Sequence, residues 1–161
     1  MIDDGMPCVV MRAVDMGITG SETREQLEGN TRLRKQLETI RLQAGPLMNL
    51  GDVTDKTIPK MTMVSPAQQG GTIATRTFIP HRCHASIGVL GAVSVATACL
   101  LKGSVAAEMA VVPQGTSKTL EIEHPIGNAP ILATMGPDGT IKNAAVIRTA
   151  RKLFDGEAFA R

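Results

Sequence analysis

The sequence predicts an α+β domain in which a curved, mostly antiparallel sheet wraps around a central apolar helix at about residues 85–101. Residues 85–101 form a long run without a charged residue, so a helix there has no polar face and must be covered on all sides. Short β-branched stretches separated by turn signals recur along the rest of the chain and indicate strands. A curved sheet encloses such a helix, whereas an open sheet with surface helices leaves part of it in water.

The strands are predicted where these stretches lie between glycine- and proline-containing turns. They are residues 7–15, 58–66, 72–80, 103–113, 118–125, 130–135 and 139–151. The clearest turn is GPDG at residues 136–139, which predicts a hairpin.

A second helix is predicted at about residues 31–45, and it is amphipathic. Asn30 or Thr31 is suited to cap its first turn. One face carries apolar side chains at helical spacing, and Arg41 falls outside that face with the other charged residues. The apolar positions are Leu33, Leu37, Ile40 and Ala44.

Composition excludes several classes of function. The chain has 161 residues, of which 43% are hydrophobic, 20% are charged and only 2% are aromatic. With three Phe and no Trp or Tyr, stacking platforms for single-stranded nucleic acid are absent, and a net charge of +2 does not indicate nucleic acid as a partner. Three cysteines without a CxxC pair predict neither a disulfide framework nor a zinc site.

The expected compartment is the cytoplasm. The chain begins with acidic residues and lacks the basic and apolar regions of a secretory signal. The uncharged run has about the minimum length for a membrane span, but its two Gly, two Ser and one Thr favour burial within protein.

The segment PHRCHAS, residues 80–86, places charged and nucleophilic side chains immediately before the apolar helix. The first N–H groups of a helix lack partners inside it and carry partial positive charge, so they attract anions. Arg82 is suited to grip a carboxylate with two hydrogen bonds, and the imidazoles of His81 and His84 donate or move protons near neutral pH. One interpretation is that this segment binds a carboxylate ligand, and the other is that it is an ordinary solvated loop. A Cys83–His84 nucleophile pair is disfavoured because adjacent residues seldom orient toward each other.

Five blocks of the sequence resemble the C-terminal half of the 4-oxalomesaconate tautomerases, in the same order and over nearly the whole chain. The blocks are IDDGMPCVVMRAVDMGITG, AGPLMNLGDVTDKTIPKM, PHRCHASIGVLGAVSVATA, EHPIG and RTARKLFDG. The tautomerases group with 2-methylaconitate cis-trans isomerase and methylitaconate isomerase, which share the diaminopimelate epimerase fold. In that fold, two similar domains each wrap a sheet around a helix, and the substrate lies between them.

The resemblance implies keto–enol tautomerisation of 4-oxalomesaconate in the breakdown of gallate-type aromatic acids. The reaction moves a proton within an unsaturated di- or tricarboxylic acid, and no metal, flavin or nicotinamide is implied. Proton transfer next to a carbonyl needs an acid, a base and stabilisation of an enolate.

The resemblance also implies roles for individual residues. Ser86 lies about where the epimerases carry a second acid/base cysteine. Because serine transfers protons poorly without a partner, we expect Ser86 to hydrogen-bond the substrate and His81 or His84 to carry the proton. The loop GMPC corresponds to a substrate-binding turn of the epimerases, although the Cys8 thiol also suits a buried strand. The candidate set is His81, His84 and Ser86 for catalysis and Arg82, Ala85, Ile87, Gly88, Met6 and Cys8 for substrate binding.

Four further residues match the resembled blocks and are interpreted mainly as supports of the fold. They are His124, Arg148, Arg151 and Lys60.

One departure from the family pattern is expected to matter. The N-terminal half of the tautomerases carries an Arg-Gly-Gly-Thr-Ser-Lys-Gly motif whose lysine is associated with proton transfer. GTSK at residues 115–118 does not correspond to this motif, because it follows VVPQ in a turn between predicted strands of the C-terminal half. It also lacks the spacing of a phosphate-binding loop. Residues 1–161 are therefore expected to form a single domain that needs an N-terminal domain in cis or in trans.

Three interpretations stay open at this stage. The chain is half of a tautomerase, half of a related alkenyl di- or tricarboxylate isomerase, or a non-catalytic domain that pairs with a partner. A homo-oligomer is compatible with each of them.

Overall fold

Seven strands form one sheet, and their spatial order follows their order in the chain. The computed structural model describes residues 1–147 and 150–159. The strands are β1 (Ile2–Asp3), β2 (Pro7–Arg12), β3 (Lys60–Ser65), β4 (Ile73–Phe78), β5 (Ser117–His124), β6 (Gly127–Met135) and β7 (Ile141–Val146). The helices are α1 (Arg24–Gly29), α2 (Thr31–Leu47) and α3 (Val89–Leu100), with a 3-10 turn at Val14–Met16.

The sheet is curved and mostly antiparallel. Strands β2 and β3 are parallel, as are β4 and β5, and the other four neighbouring pairs are antiparallel. Helix α3 contacts β1 and β2 at one end of the sheet and β5, β6 and β7 at the other. A sheet whose two ends meet the same helix must curl around it. The predicted α+β fold, a curved sheet around an apolar helix, is confirmed.

Helix α3 fills the concave side of this sheet. Ala92, Val95 and Ala96 are buried against Ile122 of β5 and Ile131 of β6. Small side chains let the helix and the strands approach closely. Within the described ranges, no helix combines the length and the apolar character needed to cross a membrane.

The convex side of the sheet packs against α1 and α2 through a second core. Leu27 of α1 and Leu33 and Leu37 of α2 are buried there with Met61 and Met63 of β3. Because helices cover both faces at this point, all six residues of β4 and five of the six in β3 are buried.

Helix α1 is an element that the sequence prediction missed. Thr23 caps it in a capping box, in which the Thr23 side chain accepts from the Gln26 N–H and the Gln26 side chain accepts from the Thr23 N–H. The Thr-x-x-Gln spacing is a known start signal. The helix has only six residues and one buried side chain, Leu27, so it leaves little apolar periodicity in the sequence.

The predicted strand at residues 103–113 is wrong. The chain there forms successive turns, with N–H groups of Glu108 and Ala110 donating to the carbonyls of Ser104 and Ala106. The Ser104 hydroxyl donates to the Ala98 carbonyl at the end of α3. These local hydrogen bonds, one of them to a helix-end carbonyl, hold the segment in turns despite its β-branched residues.

Arg41 lies in the interior, although its charge placed it outside the apolar face of α2. Its side chain is fully buried. Nη2 and Nε donate to the Glu38 carboxylate at 2.7 and 2.8 Å. Nη1 donates to the carbonyls of Val53, Lys56 and Ile58 at 2.7, 3.0 and 2.9 Å. The guanidinium therefore ties the loop that joins α2 to β3 onto the helix.

Gly45→Ala is expected to destabilise the chain because α2 meets the same loop here without space for a side chain. A Cβ at Gly45 would lie 2.5 and 2.7 Å from the two methyl carbons of Val53. Val53 is buried and β-branched, so it yields little. We expect a loss of about 1–3 kcal/mol in the free energy of unfolding, measured by urea denaturation.

Gly29→Ala is the matched control for this substitution. A Cβ at Gly29 has no atom within 4 Å, and alanine favours helix more than glycine does. An unchanged or raised stability is expected for the control. Equal effects of the two substitutions would contradict the crowding at Val53.

Candidate active site

The segment between β4 and α3 begins with a tight turn. The N–H of Ile79 donates to the Arg82 carbonyl at 2.9 Å, and Phe78 and Cys83 form a β-bridge. The N–H of His84 then donates to the Thr77 carbonyl at 2.7 Å. The turn therefore returns the chain to β4, and His84 lies back at the sheet rather than at the tip.

His84 has a defined tautomer in this loop. Its Nδ1 accepts the backbone N–H of Ser86 at 3.0 Å and lies 3.4 Å from the Ser86 hydroxyl. A ring nitrogen that accepts a hydrogen bond carries no proton of its own. The neutral imidazole of His84 therefore has its proton on Nε2. Burial, followed by the charges of Arg24 and Lys60, lowers the pKa of His84. At neutral pH, His84 is therefore a hydrogen-bond donor through Nε2 and not a base at that atom.

The same loop delays the start of α3. Residues 85–88 are not helical, and the helix begins at Val89, four residues after the predicted start. Gly88 is the capping residue in an extended conformation and offers no side-chain acceptor. The N–H groups of Val89, Leu90 and Gly91 precede the first intrahelical bond, which Ala92 donates to Gly88. The positive end of α3 is therefore open to a ligand.

A pocket of about 300 Å³ lies at this helix start, and we call it the His84 pocket. His84, Lys60 and the first residues of α3 line it, and none of the described residues in its lining is acidic. Its apolar walls are Met6, Ile79, Ile87, Val89 and Leu90. Apolar walls with a few convergent polar groups are typical of small-molecule sites.

Ser86 lines a second pocket at the helix start, and we call it the Ser86 pocket. It has a volume of about 240 Å³ and also contains His124, Ile87 and Val89. Burial lowers the pKa of His124, so this imidazole is neutral near pH 7. The two pockets share Ile87 and Val89 and therefore adjoin at the helix start.

Met6 reaches the His84 pocket because α3 holds the turn between β1 and β2. The buried Ser94 hydroxyl donates to the Met6 carbonyl at 2.8 Å. Gly5 adopts a φ of +93° in the left-handed region, and a Cβ there would meet Leu90 at 3.4 Å. The turn therefore lies directly against the first residues of α3.

The other candidates lie outside the His84 pocket. His81 is exposed beside α2, with Nδ1 3.7 Å from the Glu38 carboxylate. Arg82 is exposed at the turn, and Ala85 lines a separate pocket with Arg76. The Cys8 thiol is fully buried, and burial raises its pKa to about 12. Of the nine candidates, the structure brings His84, Ser86, Ile87, Gly88 and Met6 together at the helix start.

Sequence reasoning assigns Lys60 and His124 mainly to support of the fold, but each lines a pocket at the helix start. Lys60 begins β3 next to Cys8 of β2. A lysine at the head of a strand carries no local signal of function, so sequence reasoning could not have found this position. Arg151 is exposed, and Arg148 lies outside the described residues.

Comparisons with known proteins agree with this architecture. The model of the PrpF protein family matches residues 1–161. The chain is 58% identical over 159 residues to a (4E)-oxalomesaconate Delta-isomerase of a Novosphingobium species, covering 99% of the chain and 44% of that relative. It is 54% identical over 155 residues to a 4-oxalomesaconate tautomerase of Pseudomonas putida, covering 96% of the chain and 43% of that relative. The chain therefore spans less than half the length of these curated relatives.

A solved structure shares the fold. The crystal structure of a methylitaconate-delta-isomerase superposes with a TM-score of 0.78 at 20% sequence identity, covering 91% of this chain and 44% of the other. The likeness supports the fold that the family resemblance implied.

Proposed function

Because the chain belongs to the PrpF protein family, we propose that it forms half of the active-site cleft of an isomerase that moves a proton within an unsaturated di- or tricarboxylic acid. The proposed reaction is keto–enol tautomerisation of 4-oxalomesaconate in the breakdown of gallate-type aromatic acids. Two relatives that match nearly the whole chain carry oxalomesaconate in their names. The proposal places the reaction in the cytoplasm, where the three free, buried cysteines remain reduced.

The observation that carries this proposal is that one pocket is lined both by the open start of α3 and by His84, whose neutral imidazole carries its proton on Nε2. The helix start supplies partial positive charge and free N–H groups, and His84 supplies a hydrogen-bond donor. Removal of a proton next to a carbonyl leaves an enolate, whose negative charge develops on oxygen. Donors fixed by the fold stabilise that charge without reorganising during the reaction.

His84 and Ser86 have separate roles in this proposal. His84 donates from Nε2 to the enolate oxygen, because its Nδ1 is occupied by the Ser86 N–H. Ser86 lines the adjoining Ser86 pocket, and its hydroxyl binds the part of the substrate that extends into it. His81 is left without a role at the reacting carbon, since it lies beside Glu38.

The base that takes the proton from carbon is assigned to an N-terminal domain. His84 carries its proton on Nε2, so that nitrogen cannot act as the base. Ser86 lacks an activating base, because the lone pair of His84 Nδ1 already accepts the hydrogen bond from the Ser86 N–H. The relatives are more than twice as long as this chain, which supports a second domain. The Thr-Ser-Lys block of the tautomerases supplies a lysine for this role.

Reconstitution tests the proposal directly. The chain is mixed with the N-terminal half of a tautomerase of this family, and the ultraviolet absorbance of 4-oxalomesaconate is followed. We expect interconversion of the tautomers only when both halves are present. Turnover of methylaconitate or methylitaconate instead would identify a different isomerase, and association of the halves without any turnover would contradict an enzymatic role.

A further inference from the structure

We propose that Lys60 binds a carboxylate of the substrate in the His84 pocket and thereby selects a tricarboxylate over a dicarboxylate. This inference rests on the proposed function, since it assigns a binding residue within the same site. Lys60 is a positioning residue for the reaction and takes no proton from the substrate.

The surroundings of Lys60 leave its charge without a counterion. Nζ donates to the Thr57 carbonyl at 2.7 Å. Within the described residues, no carboxylate lies within ion-pair distance of it. A carbonyl uses one of three ammonium hydrogens and neutralises no charge. The remaining donors are free for an anionic ligand.

The electrostatics of the pocket also favour an anion. Lys60 is half-buried, and this burial lowers its pKa. The neighbouring Cys8 thiol is neutral at physiological pH, because burial raises its pKa to about 12. The open end of α3 adds partial positive charge to the same lining. A carboxylate that enters the pocket supplies the counterion that the protein lacks.

Two anchoring points in one pocket explain how a multiply charged acid is oriented. One carboxylate or enolate oxygen meets the start of α3 and the Nε2–H of His84, and a second carboxylate meets Lys60. The sequence predicts that Arg82 binds a substrate carboxylate, but Arg82 is exposed at the turn and absent from the lining of the His84 pocket. Lys60 takes that role because β3 presents it at the site.

Ligand binding separates this inference from the catalytic proposal. The protein is the assembled enzyme, meaning this chain together with its N-terminal half. The probes are tricarballylate and glutarate, unreactive acids that differ by one carboxylate, and their dissociation constants are measured by calorimetry. Lys60→Met is expected to weaken tricarballylate binding by about 10- to 100-fold, the value of a charge-assisted hydrogen bond. Glutarate binding should weaken less, so the preference for the tricarboxylate shrinks.

Two further variants serve as comparisons. Lys60→Arg retains the charge and is expected to keep most of the tricarballylate affinity. Lys56→Met removes an exposed lysine whose Nζ likewise donates to a backbone carbonyl, that of Leu50 at 2.8 Å, outside the pocket lining. It is expected to change neither affinity. In turnover assays, Lys60→Met should raise KM while kcat stays within about threefold, because binding of a remote carboxylate is shared by ground and transition states.

Several outcomes would overturn the inference. Unchanged tricarballylate affinity in Lys60→Met would remove its basis, and so would a collapse of kcat with an unchanged KM, since that pattern indicates proton transfer. If Lys60→Met lowers the melting temperature, Lys60→Gln and Lys60→Arg are compared instead, and equal affinities for these two variants would also overturn it. If the unmodified assembled enzyme shows no tautomerase activity but binds tricarballylate in a Lys60-dependent manner, the proposed reaction is rejected and this inference still holds.

Discussion

His84→Asn is expected to lower the kcat of the assembled enzyme by about 10²- to 10³-fold while the loop around it stays folded. Asparagine places a carbonyl oxygen close to the position of the imidazole Nδ1, so it can accept the Ser86 N–H that His84 accepts at 3.0 Å. An N–H two residues ahead is the usual donor to an asparagine side chain in a turn. The substitution therefore removes the Nε2–H donor and little else.

The two histidines provide an internal comparison. His81→Asn changes an exposed imidazole beside Glu38, and we expect kcat within about twofold of the unmodified enzyme. His84→Ala removes both the donor and the loop hydrogen bond, so it should lower the melting temperature as well as kcat. Equal kcat losses in the two asparagine variants, or none in His84→Asn, would contradict the role assigned to Nε2.

The pH profile supplies a second test of His84. Its pKa is lowered, chiefly by burial and then by the charges of Arg24 and Lys60. As pH falls through this pKa, Nδ1 gains a proton and then faces the Ser86 N–H as a second donor, which breaks the loop hydrogen bond. Activity attributable to His84 should therefore persist below the ordinary histidine pKa of 6.5 and fall at lower pH. His84→Asn should lack this acidic limb.

The sequence predicted the helix and its enclosure well because those features follow from local composition. A helix formed by a long uncharged run has no polar face and must be covered on all sides, and the many short strands supply that cover. The roles of His81 and His84 could not be separated in the same way, because both precede the helix by a few residues. Their difference depends on the turn at Ile79 and Arg82, which returns only His84 to the site.

Lys60 shows a second limit of sequence reasoning. It lies 24 residues before His84 in the sequence, and the strand order alone brings β3 and β4 side by side. A lysine beside a proline at the head of a strand carries no local signal of function. Its significance depends on missing counterions, which only the three-dimensional arrangement reveals.

Arg41→Ala is expected to produce the largest loss of stability among these substitutions, about 2–4 kcal/mol in the free energy of unfolding. The substitution leaves the carbonyls of Val53, Lys56 and Ile58 without their donor and the Glu38 carboxylate without its cation. Because α2 and the sheet lose their connection through this loop, the effect reaches beyond a single hydrogen bond.

Urea unfolding of Arg41→Ala, Arg41→Lys and Arg34→Ala measures this effect with matched controls. Arg34 lies exposed on the same helix, so its substitution should change the free energy of unfolding by about 0.5 kcal/mol or less. Lysine keeps the charge at position 41 but lacks the planar fork that reaches Glu38 and the loop carbonyls together, so an intermediate loss is expected.

Since the Ile58 carbonyl that Arg41 holds lies two residues before Lys60, Arg41→Lys should also weaken tricarballylate binding, whereas Arg34→Ala should not. A loss in Arg41→Ala no larger than that in Arg34→Ala would show that the buried guanidinium does not hold this loop.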